Sequence, residues 1–248
     1  MVGIPERLHQ LAEAGRPSEV QFGTRLRGRG FNGGVLTQCN SIESLLKLMY
    51  QWHIDPREDF RVDLMTHEHP IAGVIAGKYL GSGEKSAAIF QNSGLPNAGD
   101  GFISFAENYG IPLLAISTFR GLGELSYPHQ SIARRTVSLA RSFVGRKHVY
   151  GSALGVNTLG SLDRAADAVI NGDGEPGQAI LLLPKGAIRD TLPKTPPNKT
   201  DISYKRVDPE LKARKGTLEE DYLEREVVSR DEALMEIMQR HPNALIIF

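Results

Sequence analysis

Short apolar runs alternate with segments of helical periodicity from about residue 29 to residue 190, and no other feature of the sequence constrains the fold as strongly. The apolar runs predict strands at 33–37, 60–66, 86–91, 111–118, 148–150 and 179–183. The periodic segments predict helices after Ser41 and at 69–80, 97–109, 129–143 and 161–170. Because such strand–helix units pack as a parallel sheet between two helical layers, we predict an α/β fold. Right-handed crossovers make it an open, doubly wound sheet.

The chain outside this region has a different character. We assign residues 1–28 to an N-terminal arm and residues 29–190 to the predicted domain. Residues 191–227, rich in proline and charge, predict a linker. Residues 228–248 predict a helix followed by an apolar strand. That last segment either opens a second domain or docks on the first sheet, and the sequence leaves both possibilities open.

Composition and charge argue against several classes of protein. The 29 basic and 29 acidic side chains give a net charge of zero, which disfavours a dedicated nucleic-acid binder. No apolar run reaches the roughly 18 residues of a membrane span, and the N-terminal stretch lacks the apolar centre of a signal peptide. Cys39, the single cysteine, excludes an internal disulfide framework and a cysteine-based zinc site. We therefore expect a cytoplasmic protein without membrane or nucleic-acid partners.

Three consecutive strand ends carry polar residues. In doubly wound sheets, ligands bind beyond the carboxyl ends of the strands. Glu68 follows the second predicted strand, the polar loop 91–98 follows the third, and Arg120-Gly121 follows the fourth. A carboxylate, an amide-rich turn and an arginine turn are thus expected on one rim, and this clustering indicates a functional site.

The predicted helix after Glu68 begins with small residues: Ala72, Gly73, Ala76 and Gly77. Each glycine inside a helix costs about 1 kcal/mol relative to alanine, so their presence suggests that a backbone or a flat ligand approaches closely. The alternative is a tight contact between two helices, with Glu68 as a surface charge that the helix dipole favours.

Together these motifs resemble the pyrimidine-binding domain of thiamine diphosphate-dependent decarboxylases. More narrowly, they are similar to the sulfopyruvate and phosphonopyruvate decarboxylases. The resemblance covers about residues 30–190, roughly two thirds of the chain. The matching positions are Glu68 with Gly73 and Gly77, the run Gln91-Asn92-Ser93-Gly94-Leu95 with Asn97, Ile111-Pro112, Arg120-Gly121 and Pro184-Lys185-Gly186.

The resemblance implies a cofactor, thiamine diphosphate, and a role for three residues. Glu68 would be the catalytic carboxylate, hydrogen-bonded to N1′ of the aminopyrimidine so that the ring's imino tautomer is favoured. Gln91 and Asn92 would also contact the cofactor. The cofactor supplies the organic chemistry, and the protein supplies placement and that one contact.

The resemblance also implies a substrate: a 2-oxo acid with an acidic group on C3, converted to an aldehyde and CO₂. Its contacts would come from Asn92, Ser93, Asn97, His67, His69 and Arg120. The two histidines would bind the acidic group or carry a proton, and the alternative for both is a structural role. Arg120 would bind a phosphonate or sulfonate in a bidentate manner, or else pair with Glu124. Pro96 and the two histidines depart from the family's usual residues and bear on the substrate.

Enzymes of this family hold the diphosphate through Mg²⁺ in a second domain, with Gly-Asp-Gly and Asn-Asn motifs. We interpret Gly172-Asp173-Gly174 and Asn198 as coincidental, because neither lies between a strand end and a helix, and we expect no metal ligands in this chain. The resemblance therefore implies half of an active site. The other half would be a diphosphate-binding beta subunit, in a hetero-oligomer with paired alpha subunits. A fused parent protein cut short is the alternative, since residues 228–248 resemble the start of the missing domain.

Two rival functions remain open. A carboligase of the acetolactate-synthase type would use the same glutamate and release a coupled hydroxy-ketone. A non-catalytic α/β subunit would regulate a partner and keep only a vestigial pocket.

Overall fold

The computed structural model of the chain describes residues 16–121, 126–151, 157–172 and 177–192. The chain divides into two units, Met1–Pro193 and Lys194–Phe248, and every described residue belongs to the first. The predicted linker beyond residue 192 and the predicted segment 228–248 lie outside the described residues. So do residues 1–15 of the predicted arm.

The described residues form one six-stranded parallel sheet. Its strands are β1 (Gly33–Leu36), β2 (Arg61–Leu64), β3 (Ser86–Gln91), β4 (Leu113–Phe119), β5 (Val149–Gly151) and β6 (Gln178–Pro184). They lie in the order β2-β1-β3-β4-β6-β5, and every neighbouring pair is parallel. Strands β3, β4 and β6 are buried along almost their whole length, which explains their continuous apolar sequences.

Helices cover both faces of the sheet. The α-helices are α1 (Glu19–Gly28), α2 (Glu43–Ile54), α3 (Ile71–Ser82), α4 (Leu95–Gly101), α5 (Tyr127–Val144) and α6 (Thr158–Ile170). Helices α1, α2 and α6 contribute to one apolar core, and α3, α4 and α5 contribute to the other. Short 3₁₀ turns occur at Asn40–Ile42, Asn92–Gly94 and Arg146–His148, and a π-helical segment, Phe102–Glu107, continues α4. This architecture confirms the predicted doubly wound α/β fold.

Helix α1 occupies residues that the sequence analysis assigned to an arm. Ser18 caps it, with its hydroxyl accepting from the Gln21 N–H, and Phe22 and Leu26 are fully buried against the first core. The arginines at the end of α1 are paired with residues elsewhere in the fold. Arg29 lies 2.9 Å from Asp163 and 2.6 Å from Asp167, both on α6. These partners are more than 130 residues away in sequence, so no local pattern indicated them.

A second contact fastens the start of α1 to the segment after β6. The buried carboxylate of Glu19 accepts hydrogen bonds from the Thr191 hydroxyl at 2.6 Å and the Thr191 N–H at 2.9 Å. Burial alone would raise the pKa of Glu19, but these donors outweigh it and hold the pKa below its ordinary value of 4.5. The charged form is therefore the one that stabilises the fold.

We predict that Glu19→Gln lowers the free energy of unfolding at neutral pH by about 1–3 kcal/mol, since charge-assisted hydrogen bonds are lost. A carboxyl with a lowered pKa stabilises the fold above its unfolded pKa and stops doing so as the pH falls through the folded value. The difference between wild type and variant should therefore shrink below about pH 4 in urea titrations. Glu43→Gln, in the first turn of α2 and exposed, is the control. A difference that stayed constant from pH 7 to pH 3 would contradict this account.

Candidate active site

The candidate site lies at the switch point of the sheet, where the direction in which the chain adds strands reverses. From β1 the chain passes to β2 on one side, and from β2 it crosses over to β3 on the other side of β1. The connections after β1 and β3 therefore diverge and leave a crevice at their carboxyl ends, the usual ligand position in such sheets. Thr37 follows β1, Asn92 follows β3, and Glu68 stands in the connection between β2 and α3.

Glu68 is a buried carboxylate in this crevice, with 9% of its surface exposed. The Thr37 hydroxyl donates to its Oε1 at 3.1 Å, and the Asn97 amide donates to its Oε2 at 3.3 Å. Among the residues that the structure describes, no lysine, arginine or histidine forms an ion pair with it. An ionised carboxylate accepts about four hydrogen bonds. Glu68 is thus oriented by two donors and retains capacity for more.

Gly94 makes room for the Glu68 side chain. A Cβ atom built at Gly94 would overlap the Cγ and Cδ atoms of Glu68. The backbone of Gly94 has φ of −83°, which any residue adopts, so contact with Glu68 and not conformation requires glycine here. The 3₁₀ turn Asn92–Gly94 therefore closes over the carboxylate at close range.

Asn92 is directed into the protein and is 1% exposed. Its amide donates to the Arg120 carbonyl at 3.1 Å and to the Thr136 hydroxyl at 2.9 Å, and its oxygen accepts from the Arg120 N–H at 3.3 Å. Thr136 in turn donates to the Ile132 carbonyl at 2.9 Å. The side chain that we expected on cofactor and substrate is engaged inside the chain. It fixes the backbone of Arg120 against α5.

The other predicted residues lie around the crevice with different exposure. Gln91, at the end of β3, and Arg120 are partly buried. The exposed ones are His67, His69, Ser93 and Asn97. Asn97 contacts Glu68 through its side-chain amide. His67 and His69 are the sequence neighbours of Glu68 and are both exposed.

Two contributors to the site were not anticipated: Thr37, and Gly94 as the residue that makes room for Glu68. The only signal for Thr37 in the sequence was a hydroxyl at the end of the first predicted strand. Nearby, the Cys39 Sγ lies 3.3 Å from the Thr118 Oγ1, and both residues are buried. That contact links the carboxyl end of β4 to the loop after β1.

The small residues of α3 fall into two sets, of which the first fits the predicted contact between two helices. Ala72 and Ala76 are buried, and a Cβ at Gly101 of α4 would overlap the Ala72 Cβ, so this side of α3 makes a tight helix–helix contact. Gly73 and Gly77 have no atom within 4 Å of where a Cβ would stand. The glycines are therefore not explained by packing inside the described residues.

The described residues contain neither a candidate metal site nor a candidate membrane-spanning helix. No cluster of three or more histidine, cysteine, aspartate or glutamate side chains has the arrangement to hold a metal ion there. No helix there combines the length and apolar character needed to cross a membrane.

Two solved decarboxylases share this fold. A thiamine diphosphate-dependent 4-hydroxybenzoylformate decarboxylase from Rhodococcus jostii RHA1 superposes with a TM-score of 0.53 and 17% identity, over 91% of this chain and 37% of that one. Benzoylformate decarboxylase from Polynucleobacter necessarius gives a TM-score of 0.56 and 18% identity, over 73% of this chain and 32% of that one. The chain thus shares its fold with about a third of each of these two enzymes.

Sequence comparison matches the chain to one kind of decarboxylase subunit. The chain is 34% identical over 83 residues to the sulfopyruvate decarboxylase subunit alpha of Methanococcus maripaludis, and 34% identical over 85 residues to that of Methanocaldococcus jannaschii. Each match covers 34% of this chain and 46% of the relative, so the chain spans about half the length of the curated relatives it matches. No family model matches the chain. The predicted resemblance to these decarboxylases is confirmed.

We predict opposite effects for alanine at two glycines. Gly94→Ala should lower the free energy of unfolding by about 1–3 kcal/mol, because the Glu68 carboxylate must leave its donors or the turn must shift. Gly73→Ala, whose Cβ would meet open space inside α3, should raise it by up to about 1 kcal/mol. Urea titration of both variants measures this. Equal stability of Gly94→Ala and wild type would contradict the described position of Glu68.

Proposed function

We propose that this chain is the pyrimidine-binding alpha subunit of a thiamine diphosphate-dependent decarboxylase. Its substrate would be a 2-oxo acid with a sulfonate or phosphonate on C3, and its products an aldehyde and CO₂. The observation that carries the proposal is Glu68, a buried carboxylate at the switch point of the sheet, held by Thr37 and Asn97. The similarity of the chain to sulfopyruvate decarboxylase alpha subunits supports the same assignment.

The residues of the crevice fit an aminopyrimidine ring. Glu68 has acceptor capacity left after Thr37 and Asn97, which is what a ring nitrogen bearing a proton requires. A buried carboxylate without a cation is costly in a folded protein, and a bound donor offsets that cost. When bound, thiamine diphosphate supplies the nucleophilic carbon and the electron sink that decarboxylation of a 2-oxo acid needs.

The chain's own contribution is to hold one proton in place. With the cofactor bound, Glu68 would accept a hydrogen bond from N1′ of the pyrimidine and so would favour the tautomer whose exocyclic nitrogen takes a proton. Thr37 and Asn97 fix both carboxylate oxygens, and Gly94 leaves room for them. Positioned proton-transfer groups of this kind contribute about 10²–10⁴-fold to rate.

The substrate and the remaining cofactor contacts come from the rim. We assign Ser93 and Asn97 as neutral hydrogen-bond donors, and His67 and His69 as groups facing the acidic substituent. Gln91 stays a proposed cofactor contact. Asn92 acts through the Arg120 backbone that it holds, since its own amide is engaged. Arg120 is the proposed guanidinium partner of the sulfonate or phosphonate.

The diphosphate and its Mg²⁺ would be held by a partner. The matched relatives are named as alpha subunits, which supports a separate beta subunit carrying the diphosphate-binding half. We propose a hetero-oligomer with paired alpha subunits, in the cytoplasm, where the buried free thiol of Cys39 would stay reduced.

We predict that Glu68→Gln lowers kcat for sulfopyruvate or phosphonopyruvate about 10²–10⁴-fold in the assembled complex, because glutamine has no charge to stabilise the protonated ring. Aldehyde release and CO₂ are measured together. Asp100→Asn, which removes an exposed carboxylate of α4, is the control. Activity within a few fold of wild type would favour a non-catalytic subunit, and a coupled hydroxy-ketone product would favour the carboligase.

A second prediction concerns the partner. The chain alone should release no measurable CO₂ from either acid, because in this proposal the groups that hold the diphosphate belong to the partner. Adding a chain that carries Gly-Asp-Gly and Asn-Asn, with Mg²⁺ and cofactor, should restore turnover. Full activity of the isolated chain would contradict the divided site, and failure of both acids and of pyruvate with the partner present would contradict the decarboxylase.

A further inference from the structure

The loop after β1 is anchored by one buried side chain. Among residues 38–41 only Cys39 is buried, with 4% of its surface exposed, whereas Gln38 and Asn40 on either side of it are exposed. Within the part of the chain that the structure describes, no backbone hydrogen bond ties residues 38–41 to another strand or helix. The path of this loop therefore depends on what Cys39 contacts.

Cys39 contacts a strand that is not a neighbour of β1. Its Sγ lies 3.3 Å from the Thr118 Oγ1 near the end of β4, and β3 stands between β1 and β4. Since adjacent strands are about 4.8 Å apart, the loop crosses roughly 10 Å at the carboxyl end of β3 to reach Thr118. Gln91 is the register partner of Thr118 in β3, so the two side chains share one face of the sheet. The contact therefore spans the edge of the sheet at which the candidate site lies.

The contact satisfies a hydroxyl that has no alternative partner. Thr118 is fully buried, and Cys39 is the only hydrogen-bond partner of its hydroxyl among the described residues. A buried hydroxyl that loses its partner destabilises a protein. A cysteine that served only as a small apolar residue of the core would need no hydroxyl opposite its sulfur. The pairing therefore indicates that the thiol holds the loop by a specific contact.

Two groups of the candidate site adjoin the ends of this contact. Thr37, two residues before Cys39, donates to the Glu68 Oε1 at 3.1 Å. Arg120 follows Thr118 by two residues, just beyond the end of β4. The loop that carries the donor to Glu68 and the strand that leads to Arg120 are thus joined directly through Cys39 and Thr118.

We infer that Cys39 is a positioning residue of the active site. Through Thr118 it fixes the loop that carries Thr37, and so it sets the orientation of the Glu68 carboxylate relative to the end of β4. The catalytic consequence of this inference rests on the proposed function. The positioning of Glu68 itself is measurable without cofactor, substrate or partner.

NMR of the full chain, labelled with ¹³C at the glutamate carboxyl groups, tests the positioning. Glu68→Gln identifies the Glu68 resonance, and Thr37→Val shows how that resonance moves when its donor is lost. Cys39→Ala and Thr118→Val should each move it in the same direction as Thr37→Val. The two together should move it no further than either alone, since both remove the same contact. Thr118→Val keeps the shape of the side chain and supplies the answer if Cys39→Ala does not fold. An unmoved resonance in Thr118→Val would overturn the inference.

Ser86→Ala is the matched control. The Ser86 hydroxyl is also fully buried and donates to the Glu84 Oε1 at 2.9 Å, but it lies at the amino end of β3, away from the crevice. Like the other variants it should lower the unfolding midpoint in urea, whereas the Glu68 resonance should stay in place. A resonance that moved as far in Ser86→Ala as in Thr118→Val would indicate a general loosening of the fold and would contradict a specific role for Cys39.

The catalytic consequence is measured in the assembled complex. Cys39→Ala and Thr118→Val should each lower kcat for sulfopyruvate or phosphonopyruvate about tenfold, because a small displacement of a catalytic group slows a reaction strongly. Ser86→Ala should change kcat less than twofold. Wild-type kcat in both variants would overturn the inference. If the wild-type complex decarboxylates neither acid, the proposed function fails, and the Glu68 resonance alone then decides whether Cys39 positions that carboxylate.

Discussion

The candidate site of the described domain depends on the burial of one carboxylate. Glu68 lies between the Thr37 hydroxyl and the Asn97 amide, beneath the turn that contains Gly94. Glu68 is so close to Gly94 that a side chain at that position would overlap it. These residues come from three connections of the sheet, with Thr37 after β1, Glu68 after β2, and both Gly94 and Asn97 after β3. They meet because β2 and β3 are both parallel neighbours of β1. Without that topology the carboxylate would lack both of these donors.

The cost of this arrangement is borne by the surrounding fold. A buried charge without a cation destabilises a protein unless hydrogen bonds satisfy it, and Glu68 has only two from the described residues. The Asn92 network, which ties β3 to the Arg120 backbone and to α5, holds the neighbouring turn in place. Clusters of this kind are expected where function and not stability has selected the residues. Our proposed role for Glu68 gives the residual acceptor capacity a use.

Sequence reasoning anticipated the elements better than the contacts. Strand β3 has the predicted bounds, because its apolar run ends abruptly at polar residues. Helix α3 begins at Ile71, after Pro70, and ends at Ser82, where Gly83 adopts a φ of +73°. Helix α4 begins two residues before the prediction, since Pro96 is tolerated in a first turn, and becomes π-helical at Phe102. Sequence reasoning did not predict helix α1, the contact of Thr37 with Glu68 or the inward direction of Asn92, because each depends on partners distant in sequence.

The most direct test is a crystal structure of this chain assembled with a diphosphate-binding partner, thiamine diphosphate and Mg²⁺. Our account predicts one oxygen of Glu68 within about 2.6–3.0 Å of N1′ of the aminopyrimidine, with the Thr37 and Asn97 contacts retained. A pyrimidine ring bound elsewhere, with the Glu68 carboxylate turned into bulk water, would contradict the central claim.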